Sequence, residues 1–207
     1  EAIKAIEVGI DTVAELKEKG YNVFATGEMG IGNTTTSSAV CSVLLDQSVE
    51  KVTGKGAGLT NKDLEHKIEV IKQSIALNQV DANDPLDVLS KVGGLDIAGM
   101  VGCYIGGAAL QVPVFIDGFI SSVAALIAIR LVPECAPYLF PSHCSNEPAG
   151  HLILDAIGKE PYILANMCLG EGTGAVMGFT IADYAFKAYW ELPSFEQTNF
   201  GTYEELN

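Results

Sequence analysis

Apolar residues recur at helical spacing from the start of the chain. Ile3, Ile6, Ile10, Val13 and Leu16 form one stripe, and Lys17, Lys19 and Gly20 supply a cationic last turn and a stop. The spacing predicts an opening helix of about five turns. Residues 23–26 then read as a short apolar strand, residues 27–32 as a glycine-rich loop, and Asn33-Thr34-Thr35 as the N-cap of a helix running to about Leu45. Thr60 and Asp63 form a capping-box pattern ahead of Leu64, Ile68, Ile71 and Ile75, which line one helical face. Asp84-Pro85 opens another short helix that stops at Gly93-Gly94.

The stretch 96–109 is rich in glycine and alanine, which suits a helix packed closely against a neighbour. An apolar run over 112–117 ends in an acid and leads into helical spacing over 119–131, and a second run, Tyr138-Leu139-Phe140, ends in Pro141-Ser142-His143. A helix over 147–157, a strand over 162–164, a loop over 169–174 and a last helix over 175–192 follow. Short apolar strands alternate with helices and no hairpin dipeptide joins two strands. The expected fold is therefore a single α/β domain over 1–207, with a mostly parallel sheet flanked by helices on both faces, three-layered and Rossmann-like. In such folds the ligand sits beyond the C-terminal ends of the strands, here at residues 26–32, Asp117, 142–145 and Glu171. The polar and aromatic tail over 193–207 is expected to wrap the surface or an oligomer partner.

Composition narrows the class. The 207 residues include 22 glycines, with 48% apolar and 18% charged residues, which excludes disorder and permits a sizeable core. A net charge of −14 opposes binding to nucleic acid or an anionic membrane, so any phosphate must be held by local features such as helix N–H groups. The stretch 97–116 is uncharged, but its glycines, Gln111 and Pro113 argue against a spanning helix. Five scattered cysteines without a CxxC pair point to reduced thiols and a cytoplasmic setting. The chain opens at Glu1 inside a helical pattern and has no initiator Met, so it reads as part of something longer.

Two glycine loops could carry chemistry. In Gly27-Glu28-Met29-Gly30-Ile31-Gly32-Asn33-Thr34-Thr35 the glycines run GxxGxG and no lysine follows, so the loop matches neither a P-loop nor a dinucleotide fingerprint. It fits an anion site at a helix start, or a structural turn; Glu28 inside it suits a ribose hydroxyl. Leu169-Gly170-Glu171-Gly172-Thr173-Gly174 sets one carboxylate among glycines after an apolar segment. Glu171 there reads as a general base with a raised pKa, or as a solvated turn residue. Lys67 lies beside an apolar helical stripe, as a snorkelling surface lysine or a phosphate contact. Ser142-His143-Cys144-Ser145 makes poor triad geometry, and Cys135, His143, Cys144 and His151 lack metal-ligand spacing, so His143 reads as a hydrogen-bonded strand-end residue.

Several blocks together resemble one family. GEMGIGNTTTSSAV (27–40), NKDLEHKIEVIKQSIALNQ (61–79), DVLSKVGGLDIAGMVG (87–102), VPVFIDGFISSVAAL (112–126), PSHCSNEPAGH (141–151) and LGEGTGAV (169–176) are similar to nicotinate-nucleotide:dimethylbenzimidazole phosphoribosyltransferase of cobalamin lower-ligand synthesis. The resemblance covers nearly the whole chain and the C-terminal three-fifths of the family's length, the N-terminal part of the family fold being absent. It implies transfer of the phosphoribosyl group of nicotinate mononucleotide to 5,6-dimethylbenzimidazole, giving alpha-ribazole 5'-phosphate and nicotinate, without a metal or cofactor, in a homodimer. By that likeness Glu171 is the general base and Glu28 holds the donor nucleotide. Gly30, Ile31, Gly32, Asn33 and Thr34 form the phosphate loop, Lys67 and Ser145 meet the phosphate, and Gly170 and Gly172 flank the base. Asp96 and Asp117 match acidic positions without an assigned role. A relative with another acceptor, azole or water, and a nucleotide-binding module without turnover are the alternative readings.

Overall fold

The computed structural model describes residues 1–198, so part of the expected tail, residues 199–207, lies outside the described residues. In chain order the elements are α1 (Ala2–Glu18), β1 (Phe24–Ala25), α2 (Asn33–Leu45), α3 (Val49–Val52), α4 (Asn61–Asn78), α5 (Pro85–Val92), α6 (Leu95–Ala109), β2 (Val114–Ile116), α7 (Phe119–Leu131), β3 (Leu139–Pro141), α8 (Gly150–Ala156) and α9 (Thr173–Glu191). Short 3-10 turns cover Pro133–Tyr138 and Phe195–Gln197. Thr60 closes the capping box on α4 with Asp63, and the Asp84 carboxylate caps α5, as their sequences predict.

Among the described residues the sheet has three parallel strands in the order β1-β2-β3, with Phe24 opposite Val114 and Phe115 opposite Phe140. Alternation along β2 sends Val114 and Ile116 into the core against α6 and α7, and Phe115 to the other face. There Phe115 meets Phe179 of α9 edge-on at 4.9 Å and stacks on Phe140 at 5.7 Å. Helices thus lie on both faces, unevenly. The α9 side retains an apolar cavity of about 610 Å³ bordered by Val23, Pro113, Phe140, Tyr162 and Phe186. The outer side of α9 carries exposed Tyr184, Tyr189 and Trp190.

The glycines of 96–109 do pack closely. A Cβ on Gly102 would fall 1.9 Å from the Ile6 carbonyl, and one on Gly9 2.0 Å from the Gly99 carbonyl, so α1 and α6 touch backbone to backbone. The uncharged stretch 97–116 divides into α6, a turn and β2. Among the described residues no helix is long and apolar enough to cross a membrane.

Three expectations shift. The helix foreseen over 147–157 starts only at Gly150, because the Gly150 N–H closes a turn onto the Glu147 carbonyl (2.9 Å). The strand foreseen over 162–164 shrinks to a single parallel bridge between Ile163 and His143. Asn33-Thr34-Thr35 does not cap α2. Gly32, left-handed at φ 78°, is the N-cap, and no side chain caps the first turn; the Thr35 N–H reaches the Gly32 carbonyl at 3.2 Å, which leaves those of Asn33 and Thr34 open at the strand ends.

Candidate active site

The C-terminal ends of the strands surround a cavity of about 400 Å³ lined by Glu28, Thr34, Gly56, Ser145, Gly170 and Glu171, among others. Its first wall begins at Thr26, whose hydroxyl meets the Tyr104 hydroxyl at 2.7 Å; the buried Tyr104 also donates to the Ser121 carbonyl (3.0 Å) and so anchors the strand end. Glu28 then turns back on its own loop. Its Oε2 accepts from the Gly30 N–H and from Asn33 Nδ2 at 2.8 Å, and Asn33 Nδ2 also donates to Asp96 Oδ2 at 2.9 Å. That leaves Oε1, beside Gly170, to receive a hydroxyl.

The second wall is cationic. Lys67, buried on α4, donates from Nζ to Thr34 Oγ1 and to the Gly54 carbonyl, both at 3.0 Å. Burial pushes its pKa down and the nearby Glu147 carboxylate pulls it back up. With Ser145, itself buried, and the open first turn of α2, these groups form a set of donors facing one corner.

The third wall carries Glu171. Gly170, Glu171 and Gly172 all have left-handed backbones, at φ 76°, 58° and 76°. This conformation strains a non-glycine residue and explains the glycines on either side. The Glu171 N–H donates to the Glu28 carbonyl at 3.1 Å, and a Cβ on Gly27 would fall 2.6 Å from the Gly172 nitrogen, so the two glycine loops touch through their backbones. Asp117, 1% exposed, fastens this loop. Its Oδ2 accepts from the Gly172 N–H (3.0 Å), and its Oδ1 accepts from the Gly174 (2.7 Å) and Ala175 (3.1 Å) N–H groups at the start of α9. His143 is buried beside it, with Nδ1 3.2 Å from Ser142 Oγ; burial lowers its pKa while Asp117 opposes the shift. Gly174→Ala would place a Cβ 2.0 Å from His143 Nδ1. We expect it to cost about 3 kcal/mol, measured by urea unfolding.

Most of the expected site residues come together here. Glu28, Gly30, Thr34, Ser145, Gly170 and Glu171 line the cavity, with Lys67 behind Thr34 and Asn33 behind Glu28. Gly32 is a helix cap and Gly172 a backbone spacer. Ile31 turns away; it is 85% exposed and borders a separate hollow with Met29, Asp96 and Cys103. Glu171 is exposed rather than set among apolar neighbours, because the glycines around it supply no side chains to enclose it. Ser142 donates to the Ile116 carbonyl at 2.7 Å and Asp117 is taken up by backbone N–H groups, so no triad forms. All five cysteines are free, and among the described residues no three His, Cys, Asp or Glu side chains gather as metal ligands would.

Sequence reasoning passed over two features. One is the loop Gly54-Lys55-Gly56-Ala57-Gly58, whose Gly56 and Ala57 line the cavity and whose glycine spacing was a readable signal. The other is the anchoring role of Asp117, which no local pattern announces.

A family model described as phosphoribosyltransferase matches residues 1–200. The chain belongs to this phosphoribosyltransferase family. It is 53% identical over 206 residues to the nicotinate-nucleotide–dimethylbenzimidazole phosphoribosyltransferase of Ruminiclostridium cellulolyticum, covering 100% of this chain and 58% of the relative. To the same-named protein of Clostridium acetobutylicum it is 49% identical over 206 residues, with the same coverage. The crystal structure of CobT from Thermus thermophilus superposes with a TM-score of 0.88 at 31% identity, over 95% of this chain and 58% of that one. The chain therefore spans 58% of the length of these relatives. In this member of the family the cavity combines a corner rich in hydrogen-bond donors with two carboxylates on adjoining loops, one tied down and one exposed.

Proposed function

We propose that this chain transfers the phosphoribosyl group of nicotinate mononucleotide to 5,6-dimethylbenzimidazole. The observation that carries the proposal is the meeting in one cavity of Thr34 and Ser145, with Lys67 bonded behind Thr34, and of Glu28 and Glu171. The relatives' names supply the substrates. In the reaction a ring nitrogen of the benzimidazole attacks the anomeric carbon as the bond to the pyridinium nitrogen breaks with inversion. Nicotinate leaves with its ring neutral and needs no acid. The product ring must shed its N–H proton, and Glu171, exposed to the cavity and held beside Glu28, is the base that accepts it. Glu28 Oε1 receives a ribose hydroxyl, and the open N–H groups of α2 with Lys67 hold the phosphate. The helix terminus matters here because the chain as a whole is acidic. A homodimer in the cytoplasm is the setting we assign to it.

The test is a mass-resolved turnover assay with nicotinate mononucleotide and 5,6-dimethylbenzimidazole, with EDTA present throughout. Formation of alpha-ribazole 5'-phosphate is expected. A chain that binds the nucleotide without turning it over would instead be a donor-binding module. The exposure of Met29 and Leu169, which line the cavity with Glu171, favours this second reading, because nothing in the described residues covers the acceptor. Lys67→Ala is expected to weaken the mononucleotide by at least about tenfold, with the free nucleoside changed less than about twofold, by calorimetry. Equal losses would remove Lys67 from the phosphate site.

A further inference from the structure

Glu147 is an acid in the cavity with no part in the chemistry above. It follows Ser145 closely in sequence, and its own N–H donates to Ser145 Oγ at 3.3 Å. Its carboxylate lies against the loop over 54–58: a Cβ on Gly54 would fall 1.9 Å from Glu147 Oε2. The Gly56 amide stabilises its charge, and Lys67 attracts it through space, while the direct bonds of Lys67 go to Thr34 and Gly54. Ammonium, hydroxyls, loop amide and helix terminus thus converge on one corner, and the anion facing them is the protein's own.

We propose that Glu147 is the resident counter-ion of the phosphate subsite, facing Lys67 and Gly56 when the cavity is empty and yielding them to a phosphate dianion when one enters. This rests on the reading above that the corner takes the donor's phosphate. Burial raises the pKa of Glu147 and lowers that of Lys67, and the charge of each opposes the other's shift. The free energy of phosphate binding is then the difference between two counter-ions. Bare phosphate gains little from the exchange. A nucleotide, which adds ribose and ring contacts, still binds, and its product can leave. Gly54 is the position that lets the carboxylate rest on the loop, since any side chain there would occupy its place.

The test is the affinity of inorganic phosphate at fixed pH and low salt for the unmutated chain, Glu147→Gln and Glu147→Asp. Glu147→Gln keeps the shape and removes the competing charge, so phosphate is expected to bind about tenfold tighter, with Glu147→Asp within about twofold of the parent. Nicotinate riboside, a zwitterion without the phosphate, should bind all three alike. In the unmutated chain the carboxyl ¹³C resonance of Glu147 should move as phosphate is added, a readout that needs no variant. Unchanged or weaker phosphate binding by Glu147→Gln, a silent Glu147 resonance, or no phosphate binding by any of the three would overturn the proposal. Turnover is read separately. A chain that shows the predicted phosphate exchange but makes no alpha-ribazole 5'-phosphate loses the transferase reading alone, and one that turns over without the exchange loses only the role of Glu147.

Discussion

Glu171→Gln is expected to lower turnover by about 10²–10⁴-fold while leaving nicotinate mononucleotide affinity within a few-fold of the parent. The amide is close to the carboxylate in size and suits the same left-handed backbone, so the contact between the two glycine loops, Glu171 N–H to Glu28 carbonyl, is retained. What it loses is the ability to take the benzimidazole N–H proton. The phosphate corner and Glu28 Oε1 lie on other walls, so the donor should bind almost as before. Single-turnover product formation measured by mass, beside calorimetric binding of the donor, separates the two. Normal turnover by the variant would remove Glu171 from the mechanism.

Asp117→Asn should have the larger effect on stability. The native carboxylate is buried and accepts from three backbone N–H groups that open the Glu171 loop and α9. An asparagine offers one acceptor oxygen and turns its NH2 toward one of those donors. Hydrogen bonds to a charged group contribute about 1.5–3 kcal/mol each and leaving a buried donor unpaired costs a similar amount, so we expect a loss of about 3 kcal/mol. Urea unfolding followed by far-ultraviolet circular dichroism checks it, with a lowered midpoint at unchanged slope as the expected outcome. Because the same bonds hold Gly172, the variant should also lose turnover under conditions where it remains folded. A variant as stable as the parent would show that the anchoring bonds contribute nothing net.

The contrast between these two acids indicates what could be read from the chain. Glu171 announced itself because glycines flank it in sequence, and those glycines recur in the structure as left-handed turns. Helices with local caps, such as Thr60 with Asp63 and Asp84 ahead of Pro85, were legible for the same reason. Asp117 acts on residues more than fifty positions away, through backbone N–H groups that carry no sequence signature. The first turn of α2 was misread because Asn33 and Thr34 resemble caps. In the structure the Asn33 amide bridges Glu28 and Asp96, and Thr34 accepts from Lys67. Tertiary partners had claimed both side chains. Likewise the strand foreseen at 162–164 has the right apolar residues, but only Ile163 finds a ladder partner.

The exposed outer side of α9 has a practical meaning in spectroscopy. Trp190 is the sole tryptophan of the sequence, and it is 76% exposed there, edge-on to Tyr189 at 5.0 Å. Its emission should already resemble that of a hydrated indole in the native chain, so melting the core will hardly change its colour. Anything that settles over α9 will shift it to the blue. The protein thus carries a fluorophore blind to its own unfolding and responsive to whatever comes to cover that helix.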